Sequence, residues 1–195
     1  MIMTGNMNAV QIADQVLEEL KAILSSVDPA QTDALAEAIL RSGRIFTAGA
    51  GRSLLMIRCF AMRLMHLGLT VYVVGETVTP AITDSDLLII ASGSGETGTL
   101  KVIAQKAKKA GASLALITIH PDSSIAAMAD CIVTIKAPEN KTSRSETETG
   151  SIQPGGSPFE QLVLILGDAM FIQLLRRRSA RSGNQQVMSL HANLE

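Results

Sequence analysis

Apolar residues along the chain follow two rhythms, one helical and one of short uninterrupted runs. Residues 8–26 place Ala13, Val16, Leu17, Leu20 and Leu24 on one stripe at helical spacing. A second helix is predicted next, with Asp28 as cap, Pro29 in its first position and Gly43 past its end. "RIFTAGAG" then reads as a buried strand running into a glycine turn. The helix "SLLMIRCFAMRLMHL" is apolar on most sides, and its polar residues Arg58, Arg63 and His66 share one arc of about 140°. "TVYVVG" and "DLLIIAS" are the next strands, followed by a helix over 97–110 and the strand "LALITI". A short helix at 123–128 leads to the last strand, "CIVTI". Strands that are apolar on both faces and alternate with helices predict a parallel sheet covered on both sides.

After Ile135 the pattern breaks. "KAPENKTSRSETETGSIQPGGSP" is polar, and a loop this long inside a compact domain reads as a mobile flap. A long apolar helix from about Pro158 to Arg178 and the tail "NQQVMSLHANLE" follow. The organisation expected is a single domain over 1–195: N-terminal helices 8–43, a sheet core 44–135, a flap 136–157, and a C-terminal helix and tail 158–195.

Composition sharpens this. With 47% hydrophobic and 18% charged residues, the chain is a packed globular protein. Aromatics are 3% and net charge is −1, which argues against base stacking and against a basic field for nucleic acid. The cluster "RRRSAR" reads as the solvated end of a helix. Two cysteines, Cys59 and Cys131, lie in apolar runs without ligand spacing and fit a reducing cytoplasm. The N-terminus lacks the basic and apolar regions of a signal peptide. Glu160, Gln161, Asp168 and Gln173 interrupt the most apolar stretch, which predicts a buried helix and no membrane span.

Two turns carry candidate chemistry: "AGAGRS" at 48–53 and "SGSGETGT" at 92–99. Each joins a buried strand to a helix, at the carboxyl edge where parallel sheets gather ligands. Glycines let the backbone approach closely, and the first helical N–H groups lack partners at the positive end of the dipole. Ser92, Ser94, Thr97 and Thr99 add hydroxyls, and Gly51, Arg52 and Ser53 line the other turn. Together they suit a phosphate without a lysine. Gly49 and Gly51 only half match a dinucleotide fingerprint, there is no nucleotide P-loop, and Ser94 lacks the downstream order of a hydrolase triad. The plain competing reading of SGSGET is a helix-capping turn with Thr97 or Ser94 as cap.

These turns resemble those of the sugar isomerase (SIS) domain, whose Ser/Thr-rich turn holds the phosphate of a phosphosugar. "FAMRLMHLG", "VYVVGETVTPAI", "QKAKKAG", "SIQPGGSPFEQ" and "HANLE" further resemble the 6-phospho-3-hexuloisomerase family over nearly the whole chain. The resemblance implies a flavodoxin-like three-layer α/β sandwich with a five-stranded parallel sheet, assembled as a homotetramer. It implies interconversion of D-arabino-3-hexulose 6-phosphate and D-fructose 6-phosphate in the ribulose monophosphate pathway of formaldehyde fixation. Leu54, Pro158 and Leu190 depart from the family pattern. Rival readings are an isomerase of arabinose 5-phosphate or sedoheptulose 7-phosphate, and a non-catalytic phosphosugar-sensing module.

Moving a carbonyl between neighbouring carbons needs one base and donors for the oxyanion of an enediol, with no cofactor or metal. His66, His120 and His191 are scattered at no metal-ligand spacing. Glu160, opening an apolar helix within the FEQ match, is the candidate base. His191 in HANLE is the second catalytic candidate, for proton transfer between oxygens during ring opening. If the tail reaches a neighbour, the site is shared between subunits. Arg52 is placed to meet hydroxyls or phosphate, and Glu76 and Thr77 are expected at the pocket from another strand end.

Overall fold

The computed structural model describes residues 7–138, 151–178 and 187–193. Two helices open the chain, α1 (Ala9–Leu24) and α2 (Pro29–Arg41). The Asp28 carboxylate accepts the Ala30 N–H, and Pro29 occupies the first helical position where no partner for an N–H is needed. Then come β1 (Ile45–Gly49), α3 (Gly51–His66), β2 (Val71–Val73), β3 (Leu87–Ala91), α4 (Gly98–Lys109) and β4 (Ser113–Thr118). A 3-10 turn (Ala126–Met128), β5 (Cys131–Thr134) and α5 (Ser157–Arg178) follow, with a short helical turn at 187–189 beyond them.

The five strands among the described residues are all parallel, in the order β2-β1-β3-β4-β5. The period of two along each strand splits the core. Ile45, Leu87, Ile89, Ile117 and Val133 face a cluster with residues of α1, α2, α3 and α5. Phe46, Leu88, Ile90, Leu114 and Leu116 face α4 and the 3-10 turn. The fold is therefore the expected three-layer α/β sandwich. The chain leaves β1 for β2 on one side and leaves β3 for β4 on the other. The crevice between the carboxyl ends of β1 and β3 is thus the switch point, where such sheets bind ligands.

α5 is long and apolar enough to cross a membrane by length and composition. It packs against α3, α1 and α2 as a core helix, with Phe159, Leu162, Val163, Met170 and Leu174 buried. Gly167 lets α3 approach, since a Cβ there would lie 3.1 Å from the Cβ of Phe60. The polar arc on α3 is consumed by structure: Arg58 pairs with Glu76, Arg63 with Asp168 at 2.9 Å, and His66 is buried. The flap expected at 136–157 falls largely on residues 139–150, outside the described residues. Its end is docked, with Gln153 buried and its amide donating to Glu19 of α1 at 3.3 Å.

Candidate active site

The SGSGET turn is built from the strand outward. Ser92 is buried, and its hydroxyl accepts the Gly95 N–H at 3.2 Å. The Gly93 carbonyl accepts both the Ile119 N–H and the Thr118 hydroxyl, each at 3.0 Å. In a planar trans peptide the carbonyl and the next N–H point opposite ways. Tying the Gly93 carbonyl back to β4 therefore aims the Ser94 N–H toward the crevice. Gly95 sits at φ +60°, and a Cβ on it would lie 2.5 Å from the Cβ of Ser123. Only glycine satisfies both the left-handed backbone and that approach.

Thr97 stands at the cap position of α4, yet its side chain makes no capping bond. Ala50, the cap of α3, has no side chain able to make one. Two helix N-termini thus open on the same crevice with their first N–H groups uncapped by side chains, an arrangement that favours an anion. The capping reading of the turn does not describe Thr97. Ser94 makes a small local cap, its hydroxyl accepting the Glu96 N–H at 3.2 Å.

A cavity of about 180 Å³ lies between these turns. Ser53, Ser92, Ser94 and Thr97 line it, together with Phe159 and Glu160 from the start of α5. The Glu160 side chain is only 17% exposed and pairs with Arg52 at 3.4 Å. Arg52 also donates to the Ser157 hydroxyl at 2.8 Å, and Ser157 donates to the Pro154 carbonyl at 2.7 Å. A guanidinium from the first turn of α3 thereby orients a carboxylate from the first turn of α5. The sequence had named Arg52 and Glu160 separately, but not the Ser157 bridge or the apolar wall of Phe159 and Ile119.

Several expected site residues lie elsewhere. Thr99 is exposed on α4 and does not line the cavity. Gly51 shapes the turn at φ +54° rather than lining it. Glu76 is held at the sheet edge by Arg58, and neither it nor Thr77 borders the cavity. His191 is not brought to Glu160 within one chain. Its ring stacks on His66, with centroids 4.1 Å apart, at the far end of α3. α3 begins at the cavity, and 15 residues of helical rise separate its ends by about 22 Å.

His66 is 3% exposed, and its Nδ1 has no hydrogen-bond partner among the described residues. Burial first, then the neighbouring His191 and Arg63, push its pKa below the usual 6.5. A lowered folded-state value means the unfolded chain takes the proton first. Stability is then unaffected above pH 6.5 and falls as pH drops below it. Urea midpoints measured from pH 7.5 to 5 are expected to decline over this window, and His66→Asn is expected to flatten the decline. An unchanged slope in that variant would place the loss elsewhere.

Three comparisons bear on this architecture. The SIS domain family model matches residues 38–153. A Bacillus subtilis (strain 168) protein described as 3-hexulose-6-phosphate isomerase is 42% identical over 189 residues, covering 97% of this chain and 100% of that one. A Mycobacterium gastri protein of the same description is 44% identical over 180 residues, covering 92% and 88%. The crystal structure of a hypothetical protein from Methanococcus jannaschii, for which 3-hexulose-6-phosphate isomerase function was inferred, superposes with a TM-score of 0.77. That pair is 32% identical and covers 94% and 97% of the two chains.

Proposed function

Because the chain belongs to the SIS-domain family and shares more than 40% identity with two 3-hexulose-6-phosphate isomerases, we infer that it is an isomerase of the same reaction. It interconverts D-arabino-3-hexulose 6-phosphate and D-fructose 6-phosphate through an enediol, within the ribulose monophosphate pathway. The observation that carries the reading is the meeting, in one cavity, of an uncapped Ser/Thr turn and a guanidinium-paired carboxylate. The arabinose 5-phosphate, sedoheptulose 7-phosphate and sensing alternatives are not favoured by these relatives.

In this reading Ser92, Ser94 and Thr97, with the N–H groups opening α4, hold the phosphate. Ser53 and Arg52 meet the sugar hydroxyls and the developing oxyanion. Glu160 removes the proton from C2 of the 3-keto sugar while O3 takes up a proton, giving the 2,3-enediol, and then returns its proton to C3, so that the net transfer between oxygens is of one proton from O2 to O3. Loss of the proton on O2 then leaves the carbonyl at C2. Fixed donors aimed at the oxyanion lower the barrier without reorganising during the step. Incubation with formaldehyde, ribulose 5-phosphate and a hexulose-phosphate synthase is expected to yield fructose 6-phosphate only when this protein is added. No fructose 6-phosphate would overturn the assignment.

The proposal extends to a cytoplasmic homotetramer. Leu55, Met62 and Met65 expose apolar surface on α3, and Val10 and Leu17 do so on α1, which suits covering by further copies. Since His191 lies far from its own cavity, a catalytic part for it requires the cavity of a neighbouring copy. Fructose 6-phosphate must open its ring, whereas the 3-keto sugar, phosphorylated on its terminal oxygen, forms no ordinary five-membered ring. His191→Ala is therefore expected to slow the reaction from fructose 6-phosphate more than the reaction toward it. Equal initial-rate losses in both directions would remove His191 from ring opening.

A further inference from the structure

Glu96 is an unexpected residue for a phosphate turn. A carboxylate two positions from Ser94 opposes a dianion by simple electrostatics. Yet Glu96 does not stand free. Its Oε1 accepts the Ser124 backbone N–H at 2.6 Å, and its Oε2 accepts the Ser124 hydroxyl at 2.8 Å. Lys101, one turn into α4, donates to the same Oε2 at 3.1 Å. The backbone runs alongside this pairing, with the Gly95 carbonyl accepting the Ile125 N–H at 3.2 Å. On the other side of the turn, the Gly93 carbonyl is tied to Thr118 and Ile119. Between these two anchors lies Ser94, the centre of the cradle.

We propose that Glu96 is a positioning residue, whose clamp on Ser124 and Lys101 holds the 92–97 turn in the shape that presents its N–H and hydroxyl groups to the substrate phosphate. The inference rests on reading that turn as the phosphate seat. Glu96 touches no substrate in it. Charge-assisted bonds to backbone and hydroxyl are the stronger kind, and two of them fix one carboxylate plane against one residue. Lys101 offsets the negative charge, so the clamp adds little repulsion to the bound phosphate. The Ser124 N–H first, then its hydroxyl, then Lys101 hold the Glu96 carboxyl down to about 2. The clamp is therefore ionised throughout any assay near neutrality.

Charge and position make opposite predictions, which renders the test decisive. Removing a negative charge beside a phosphate tightens binding if charge alone matters. Loosening the turn weakens it. Glu96→Gln is expected to raise the inhibition constant of inorganic phosphate, and the KM for fructose 6-phosphate, by roughly tenfold, with kcat within about twofold. Ser124→Ala removes one clamp bond and no charge, and is expected to move both constants the same way by a smaller factor. Equal or tighter phosphate binding by Glu96→Gln would overturn the proposal. So would a fall in kcat with both constants unchanged, since that places Glu96 in the chemistry. If Glu96→Gln does not fold, Ser124→Ala decides alone, and unchanged phosphate binding there overturns the clamp. Phosphate binding is read by calorimetry without turnover, so the result is independent of whether the protein isomerises 3-hexulose 6-phosphate. Weakened phosphate binding in a protein without isomerase activity would leave the clamp standing and the proposed reaction refuted.

Discussion

Glu160→Gln is expected to lower turnover by about 10³-fold in both directions while leaving the protein folded and able to bind phosphate. Gln has the same shape and keeps an oxygen for Arg52, so the pairing partner is not left facing nothing. What it lacks is a site that accepts a proton from carbon. Loss of a carboxylate from the first turn of α5 costs at most about 1 kcal/mol through the helix dipole, too little to unfold a core helix. The proposed phosphate turn joins β3 to α4, with no bond to Glu160 among the described residues, so phosphate affinity is expected to stay near wild type. The measurement is kcat in each direction beside phosphate calorimetry and a melting curve. Turnover within tenfold of wild type would remove Glu160 from the base role.

The largest effect on stability is expected at the opposite edge of the sheet. Asp86 precedes β3, and its side chain is fully buried. It accepts from Arg44 through two bonds, at 2.9 and 2.7 Å, and from the Thr83 N–H and hydroxyl at 2.7 and 2.9 Å. Truncation to Ala strands a half-buried guanidinium and two donors. Breaking a buried pair costs about 3 kcal/mol when, as here, one partner retains some water. The Arg44 bond first, with the Thr83 bonds in support and against the cost of burial, holds the Asp86 carboxyl below its usual 3.8. A depressed value means its contribution is complete above 3.8 and lost as pH falls below it. Asp86→Ala is expected to lower the unfolding free energy at neutral pH and weaken its dependence on pH below 4, with KM unchanged. A change in KM without a loss of stability would contradict this division between the two edges of the sheet.

Periodicity was enough for most of the elements. The helical stripe of α1, the Asp28-Pro29 start of α2 and the doubly apolar strands are local patterns, set by 3.6-residue and 2-residue geometry. β2 is shorter than its apolar run, because it lies at the sheet edge and turns away through the bond from Thr79 to the Val73 carbonyl. The turn proposed to hold phosphate was legible as a turn for the same local reason, since glycines, hydroxyls and a helix start are contiguous in 92–99. Thr99 was misplaced because it is the second residue of α4, and two residues of helix turn its side chain about 200° from Thr97, onto an exposed position.

The partners of those residues were not legible. Arg52 meets Ser157 across 105 positions, and Glu96 meets Ser124 across 28. Glu76 was expected at the pocket as a strand-end residue, but strand position in the sheet, not strand end, decides which turns meet. His66 and His191 are still further apart in sequence than Arg52 and Ser157, yet their rings stack in the fold. By itself, the sequence determined which residues form strands, helices and the glycine- and hydroxyl-rich turn, because those depend on neighbours along the chain. The order β2-β1-β3-β4-β5 is a property of the closed core, and the adjacency of β1 and β3 within it places their turns side by side with the start of α5 beside them. The tertiary structure alone therefore decided that Glu160, paired with Arg52 from behind the cavity lining, shares one cavity with the 92–97 turn, and that Glu96 is turned onto Ser124 instead.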